Sequence, residues 1–442
     1  MNRDLTTGNI PTSLLKFAFP LMIGNVLQQF YNLADTLIVG RVLGTDALAA
    51  VGSSYTLMTF LTSILIGLCM GSSAYFSIQF GRKNYEAMNK GIFLSFILIG
   101  LLTLILNILV FILINQIIKI LQVPAEIREM IKEYLLFIFI GITATFLYNF
   151  FANLLRAVGN SVIPLVFLGI SVALNTILDI LFVCTCQWGI RGAASATVIS
   201  QFIAGIGIMV YSYLRFPMLR VKREHMHWDN KILKNIFSLS FLTCLQQSVM
   251  NLGILIIQGL VNSFGTVIMA AFAASVKIDT IAYMPVQDFG NAFSTFVAQN
   301  YGAGKKERIQ KGIRISFQFI FVFCAVISLL VCLFAKPLMG IFVEAGNQEV
   351  IQAGAGYLRV EAAFYLGIGL LFMLYGYYRA VQKPGMSVIL TICSLGTRII
   401  LAYFLSGIPF IGVTGIWIAI PIGWILADLV GVWYYFLLCK KH

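Results

Sequence analysis

Four polar residues in one apolar stretch pose the first chemical question. Asn25, Gln28, Asn32 and Asp35 step by three, four and three residues, which keeps them on one helical face. Asp35 sits among Ala34, Leu37, Ile38 and Val39 with no base near it in sequence. A charge at the centre of a membrane helix costs on the order of 2.5–3.5 kcal/mol. Such a stripe is therefore expected to face a wet cavity or a partner, the bland alternative being a polar seam that glues helices together. Further along, Asn175 and Asp179 share a face at i and i+4 among Ile177, Leu178, Ile180 and Leu181. Two carboxylates in one dry half of a protein repel when both ionise, and burial favours the neutral form. Such a pair could hold a proton or share a small cation, and carboxylate, amide and hydroxyl oxygens also suit sodium. Tyr134, Asn149 and Thr197 are candidates to complete the set. Tyr134 reads equally well as an interfacial aromatic, and Thr197 by itself reads better as a packing residue.

These residues need spans to hold them. Of the 442 residues 60% are apolar and only 11% charged, against roughly 25% charged in a soluble domain. Mean hydropathy is +0.92. A soluble globular fold and a disordered chain are both excluded. A span takes about 20 apolar residues, and the apolar runs predict an all-α membrane protein with twelve spans. They fall near 12–40, 50–79, 90–114, 131–155, 162–184, 192–214, 234–261, 267–299, 312–335, 350–380, 386–406 and 412–438. The runs are too long and continuous for barrel strands. The eight Cys are scattered and predict neither a disulfide framework nor a zinc site. No Walker A loop and no potassium-type filter is present. The three His lie in a linker and at the C-terminus, which leaves a membrane enzyme little to build on.

Lys and Arg collect at one side of the predicted spans, in Arg82, Lys83, Lys90, Arg215, Arg220, Lys222, Arg223, Lys305, Lys306, Arg308 and their neighbours. That bias places both termini in the cytoplasm and accounts for the net charge of +13 without nucleic acid. The two halves also match in order. Gln28-Gln29 pairs with Gln246-Gln247, Gln79-Phe80-Gly81 with Gln299-Asn300-Tyr301-Gly302, and Arg156-Ala157-Val158 with Arg379-Ala380-Val381. All lie about half the chain apart, so each half carries six spans in one orientation, as in a parallel repeat. The expected organisation is an N-terminal lobe over 1–214, a charged linker over 215–233 and a C-terminal lobe over 234–442. In the second half Gln247, Asn251, Lys277, Asp279, Asp288 and Arg398 are candidates for a substrate cavity. Lys277 is expected to pair with an acid, and Arg398 aligns loosely with Asn175 in the repeat.

The stretch Leu33-Ala34-Asp35-Thr36-Leu37-Ile38-Val39-Gly40-Arg41-Val42-Leu43-Gly44 resembles the first-helix signature of the multidrug and toxic compound extrusion (MATE) family. Leu174-Asn175-Thr176-Ile177-Leu178-Asp179 resembles that family's fifth-helix motif, and Gln299-Asn300-Tyr301-Gly302-Ala303-Gly304 and Arg156-Ala157-Val158-Gly159 are similar to its turns. The resemblance covers essentially the whole chain. It implies two pseudo-symmetric six-helix bundles around a V-shaped cavity, acting as a monomer in the cytoplasmic membrane. The implied activity is proton- or sodium-coupled antiport of amphiphilic, often cationic, small molecules, with membrane lipid around it and no cofactor. A lipid-linked oligosaccharide flippase of the same superfamily is the alternative. Carried over from the DinF-like branch, Asp35, Asn175, Asp179 and Thr197 match the coupling site, Tyr134 and Asn149 its surroundings, and Pro20 the bend of the first helix. The NorM-like branch uses acids on its seventh and tenth helices. The seventh span here has none, although Glu361 lies on the tenth.

Overall fold

The computed structural model describes residues 4–120, 127–344 and 346–440. Among them there are helices and connecting turns, with no strand. In chain order the α-helices are α1 (Ile10–Val42), α2 (Thr45–Gly81), α3 (Tyr85–Ile120), α4 (Arg128–Ile140), α5 (Ile142–Ala157), α6 (Val162–Asp179), α7 (Ile190–Arg215), α8 (Asn230–Asn262), α9 (Thr266–Gly302), α10 (Lys306–Phe342), α11 (Gln348–Ala362), α12 (Tyr365–Ala380), α13 (Pro384–Ser406) and α14 (Thr414–Lys440). Helix is the form these runs must take, because hydrocarbon offers the backbone no hydrogen-bond partner. Among the described residues eleven stretches are each long and apolar enough to cross a bilayer, and α11 with α12 makes a twelfth that bends by 52°. The chain is a multi-pass membrane protein, with the number of spans its sequence predicts.

The helices depart from straightness at three places that bear on the buried charges. The expected span over 131–155 is α4 plus α5, interrupted only at Gly141. A Cβ there would come within 2.9 Å of the Ile138 carbonyl and 3.0 Å of Val198 on α7, so the glycine permits a close helix approach. The expected span over 350–380 is not straight. It bends at Ala363 and Phe364, and Phe364 leaves helical geometry at φ −118 and ψ 17. Finally, α6 does not stop at Asp179 but continues as a π-helical turn, Ile180–Thr185. Such turns insert a residue into the helical repeat and re-aim its neighbours.

The chain divides into two compact units. The first comprises Phe19–Cys244, joined by the chain up to Leu5; the second comprises Thr6–Ala18 and Leu245–His442. Two of the borders therefore lie inside helices, in α1 beside Pro20 and in α8 after Cys244. Phe76, Phe96, Phe146, Phe150 and Phe151 interlock at the centre of the first unit, mostly edge to face or tilted. There, too, α2 lays its Gly67 and Gly71 on the backbone of α8. A Cβ at Gly71 would sit 2.4 Å from the Leu239 carbonyl, the close contact that small-xxx-small spacing allows. The second unit packs α9 on α12 and α13 on α14 in the same manner. A Cβ at Gly376 would lie 2.6 Å from the Gly290 carbonyl, and one at Gly423 2.4 Å from that of Ser394. Thr6–Ala18 is tied into the second unit by charge-assisted bonds: Lys305 donates to the Thr6 carbonyl at 2.7 Å, and Arg308 to those of Thr7 and Gly8 at 2.7 and 2.8 Å.

Candidate functional site

Within the first unit, α1, α6 and α7 bring the expected acids together. Asp35, on α1, and Asp179, the last residue of α6, face each other within hydrogen-bonding reach. Asp179 is 1% exposed and Asn175 likewise 1%. Asp35 is half-buried as a residue, yet its Oδ1 is fully covered. That atom and the Oδ1 of Asp179 both lack a hydrogen-bond partner among the described residues. No basic side chain among the described residues joins them. Ion pairs form elsewhere, among them Lys90–Glu86, Arg191–Glu133 and contacts of Glu224 with Lys222 and His225. Two acids in contact, each with an orphaned buried oxygen and without a counter-ion, are an expensive arrangement for a merely structural seam.

The surroundings supply neutral oxygens. With its amide oriented by its neighbours, Asn175 donates from Nδ2 to Asp179 Oδ2 at 2.9 Å and accepts from the Thr197 backbone N–H at 3.2 Å. Thr197, on α7, accepts through Oγ1 from the Tyr31 hydroxyl at 3.3 Å. Tyr31 is absent from the candidates that the sequence suggests. It lies four before Asp35 on α1, so the same helical spacing that exposes the stripe could have found it. Tyr134, on α4, is buried and lies in the electrostatic field of both carboxylates, which separates it from an interfacial aromatic. The π turn immediately after Asp179 packs on α7, where Gly192 meets the backbone of Phe182.

Other candidates are placed differently. Asn149 donates to the Thr145 carbonyl of its own helix at 2.9 Å and receives a bond from Asn153 on its own carbonyl; among the described residues these bonds stay within α5 and do not reach the acids. Asn25, Gln28 and Asn32 are half-buried along α1. Pro20 lies inside α1, which runs helical through it. In the second unit Gln247 and Asn251 are half-buried on α8 and Asp288 is buried on α9. Lys277 departs from its expected pairing: it is exposed and makes no ion pair among the described residues. It lines a recess with Ala270, Ala273, Glu344 and Asn347, where water can solvate the ammonium in place of an acid. Asp279 is 5% exposed, and both its oxygens are held, by Tyr365 at 2.5 Å and Tyr357 at 3.3 Å. Arg398 lies in the field of Asp279 and of the fully buried Glu361.

Known proteins bear directly on this arrangement. The sequence profile of the MatE family matches residues 20–181 and again 243–404, one match in each half, as the internal repeat requires. The probable multidrug resistance protein YpnP of Bacillus subtilis is 30% identical over 438 residues, covering 98% of this chain and 96% of its own. A FAD transporter of Shewanella oneidensis is 25% identical, covering 95% and 92%. A solved MATE structure in a bent conformation superposes with a TM-score of 0.93 at 23% identity, covering 99% of this chain and 97% of that one; at that identity the likeness is one of fold. A profile match in both halves and a full-length relative at this identity lead to one conclusion: the chain belongs to the MatE family of multi-pass membrane transporters.

Proposed function

We propose that this transporter exports amphiphilic, often cationic, small molecules across the cytoplasmic membrane by alternating access, in exchange for a proton or sodium ion captured at Asp35 and Asp179. The observation that carries the reading is the pair itself: two carboxyl groups in contact, an unpartnered buried oxygen on each, and no base beside them among the described residues. At an effective dielectric near 20, two like unit charges about 4 Å apart repel by about 4 kcal/mol. A proton or a small cation removes that repulsion and gains attraction from both acids. The cost of the empty pair is what makes its occupancy a source of work. Asn175, Thr197 and Tyr31 fix the geometry, and the resulting set of carboxylate, amide and hydroxyl oxygens serves either ion.

The cycle is a consequence of that energetics. From the outer side, where its electrochemical potential is higher, the ion enters the pair and changes the hydrogen bonding among α1, α6 and α7. The change is relayed along α1, with Pro20 as the point where a missing N–H weakens the helix. Substrate leaves outward, and release of the ion inward resets the pair. One charge moving down 100 mV supplies about 2.3 kcal/mol, roughly a fiftyfold concentration ratio. The basic residues at the α2–α3, α7–α8 and α9–α10 connections support cytoplasmic termini. Names of relatives point to drugs and to a flavin nucleotide as cargo, which fits an adaptable cavity more than a single substrate. The test is transport of a fluorescent lipophilic cation in liposomes holding the purified protein, with proton and sodium gradients imposed separately. Uptake against the substrate gradient under one of them is expected. Uptake indifferent to both would overturn the proposal.

A further inference from the structure

The second unit contains a buried charge cluster that the coupling pair does not use. Asp279 comes from α9, Glu361 from the last turn of α11 and Arg398 from α13. The bend at Ala363 and Phe364 turns the chain between Glu361 and Tyr365, so that α12 presents the Tyr365 hydroxyl to Asp279 while α11 presents Tyr357. Tyr283, one turn along α9, faces the same group. From α14 the neighbour is Trp417, whose ring meets Tyr357 edge-on at 4.9 Å and carries no charge. Asp428, also on α14, lies beside Tyr375 and close to Gly367 on α12, while the charges that act on Glu361 are those of Asp279 and Arg398.

The polar bonds are unevenly shared. Both oxygens of Asp279 accept from tyrosines. Glu361 is 0% exposed, and neither of its oxygens has a partner among the described residues. Arg398 acts electrostatically on both acids, yet among the described residues it makes no ion pair within 4 Å, and its Nε is buried without a partner. Two carboxylates and one guanidinium sum to one net negative charge, and both carboxylates are buried while Arg398 is half-buried. An uncompensated buried charge costs several kcal/mol, so one further positive charge must be present. An alkali ion needs a shell of oxygens, and only those of a single carboxylate are unclaimed here. It would also be repelled by the resident guanidinium. A proton needs one oxygen.

We infer that Asp279, Glu361 and Arg398 form a second proton-binding site, in which the guanidinium supplies one fixed positive charge and a single proton, resting on Glu361, completes neutrality. The step is the addition of a proton from bulk water to one Glu361 oxygen, and its reversal. Loss of that proton exposes a carboxylate to Arg398, and the two then attract, which draws α13 and α11 together. The site is chemically unlike the Asp35–Asp179 pair, which has no resident cation, and it binds hydrogen ions in preference to sodium.

The charge count makes the inference testable independently of the proposed coupling site. The full chain carrying D35N and D179N is reconstituted in liposomes, and the carboxylic C=O band of protonated acids is measured by infrared spectroscopy. Differences between variants cancel the remaining buried acids. Relative to this parent, E361Q should remove one protonated carboxyl. D279N should also remove one, although Glu361 is still present, because a single acid balances Arg398 without a proton. R398Q should raise the cluster's signal twofold, from one protonated carboxyl to two, and R398K should leave it at one. Replacing potassium by sodium at fixed pH should change nothing. An unchanged band in both D279N and E361Q would overturn the inference, as would displacement by sodium. Should R398Q fail to fold, the opposite prediction for D279N still decides. Failure here leaves the Asp35–Asp179 reading untouched, since both of those acids are absent from the background.

Discussion

Replacing Asp179 with asparagine keeps the side chain's shape and removes its charge. At about 4 Å and an effective dielectric near 20, each carboxylate attracts a bound monovalent cation by about 4 kcal/mol. One decade of affinity corresponds to about 1.4 kcal/mol, so D179N should weaken cation capture by up to about a thousandfold. The loss is smaller where desolvation already offsets part of the attraction. Because Asp35 and Asp179 touch and each leaves an oxygen unpartnered, the same substitution relieves like-charge repulsion. The variant should therefore melt at the same temperature as the parent or higher, while gradient-driven accumulation falls from a fiftyfold scale to none. D35N should behave likewise. The assay pairs liposome export under separate proton and sodium gradients with a thermal melt of the same preparation. Loss of transport with retained stability is the signature of a working site, since function is often held at the expense of stability. Export by D179N as steep as the parent's would refute the coupling role, and so would a melt several kcal/mol lower, as a structural seam would give.

Three other perturbations have definite expected outcomes. Tyr31→Phe removes the hydroxyl that Thr197 accepts at 3.3 Å. A neutral hydrogen bond is worth about 0.5–1.5 kcal/mol, so the half-saturating concentration of the driving cation should rise by about two- to tenfold, with maximal export retained. Gly376→Leu drives a side chain into the Gly290 carbonyl, 2.6 Å from where its Cβ must sit. It should cost about 3 kcal/mol, the upper end of the range typical of overpacking, whereas Gly396→Ala, with nothing within 4 Å, should be neutral or stabilising by up to about 1 kcal/mol; thermal melts in detergent compare the two. Arg379 is 6% exposed and donates to Ser294 at 3.2 Å and Asn291 at 3.1 Å. Arg379→Met strips both acceptors of their donor, and its melt should fall by about 1–3 kcal/mol, more than that of an exposed arginine such as Arg82.

The Asp35–Asp179 pair was within reach of the sequence because its parts obey local rules. Asp35 and Asp179 stand out as charges in apolar runs, and Asn175 follows from helical spacing. Bringing these two acids into contact lies beyond spacing, and there the resemblance to a known family supplied what periodicity could not. Thr197 needed the same help. Tyr31 escaped because a tyrosine in a membrane helix is unremarkable by composition. Asn149 and Lys277 both lack the partner expected of them. Asn149 bonds back to its own helix, an option open to any short amide side chain. Lys277 escapes the need for a partner because its recess is open to water.

What the chain determines by itself is the number and kind of its spans and the repeat that relates its halves, because bilayer thickness and unpaired backbone groups leave an apolar run of that length one solution. What only the tertiary structure decides is which distant charges share a dry space. The π turn after Asp179, the bend at Ala363–Phe364, and the meeting of Asp279, Glu361 and Arg398 all depend on packing between helices far apart in sequence. A glycine or a ring one helix away sets those contacts, and no local pattern of residues records them.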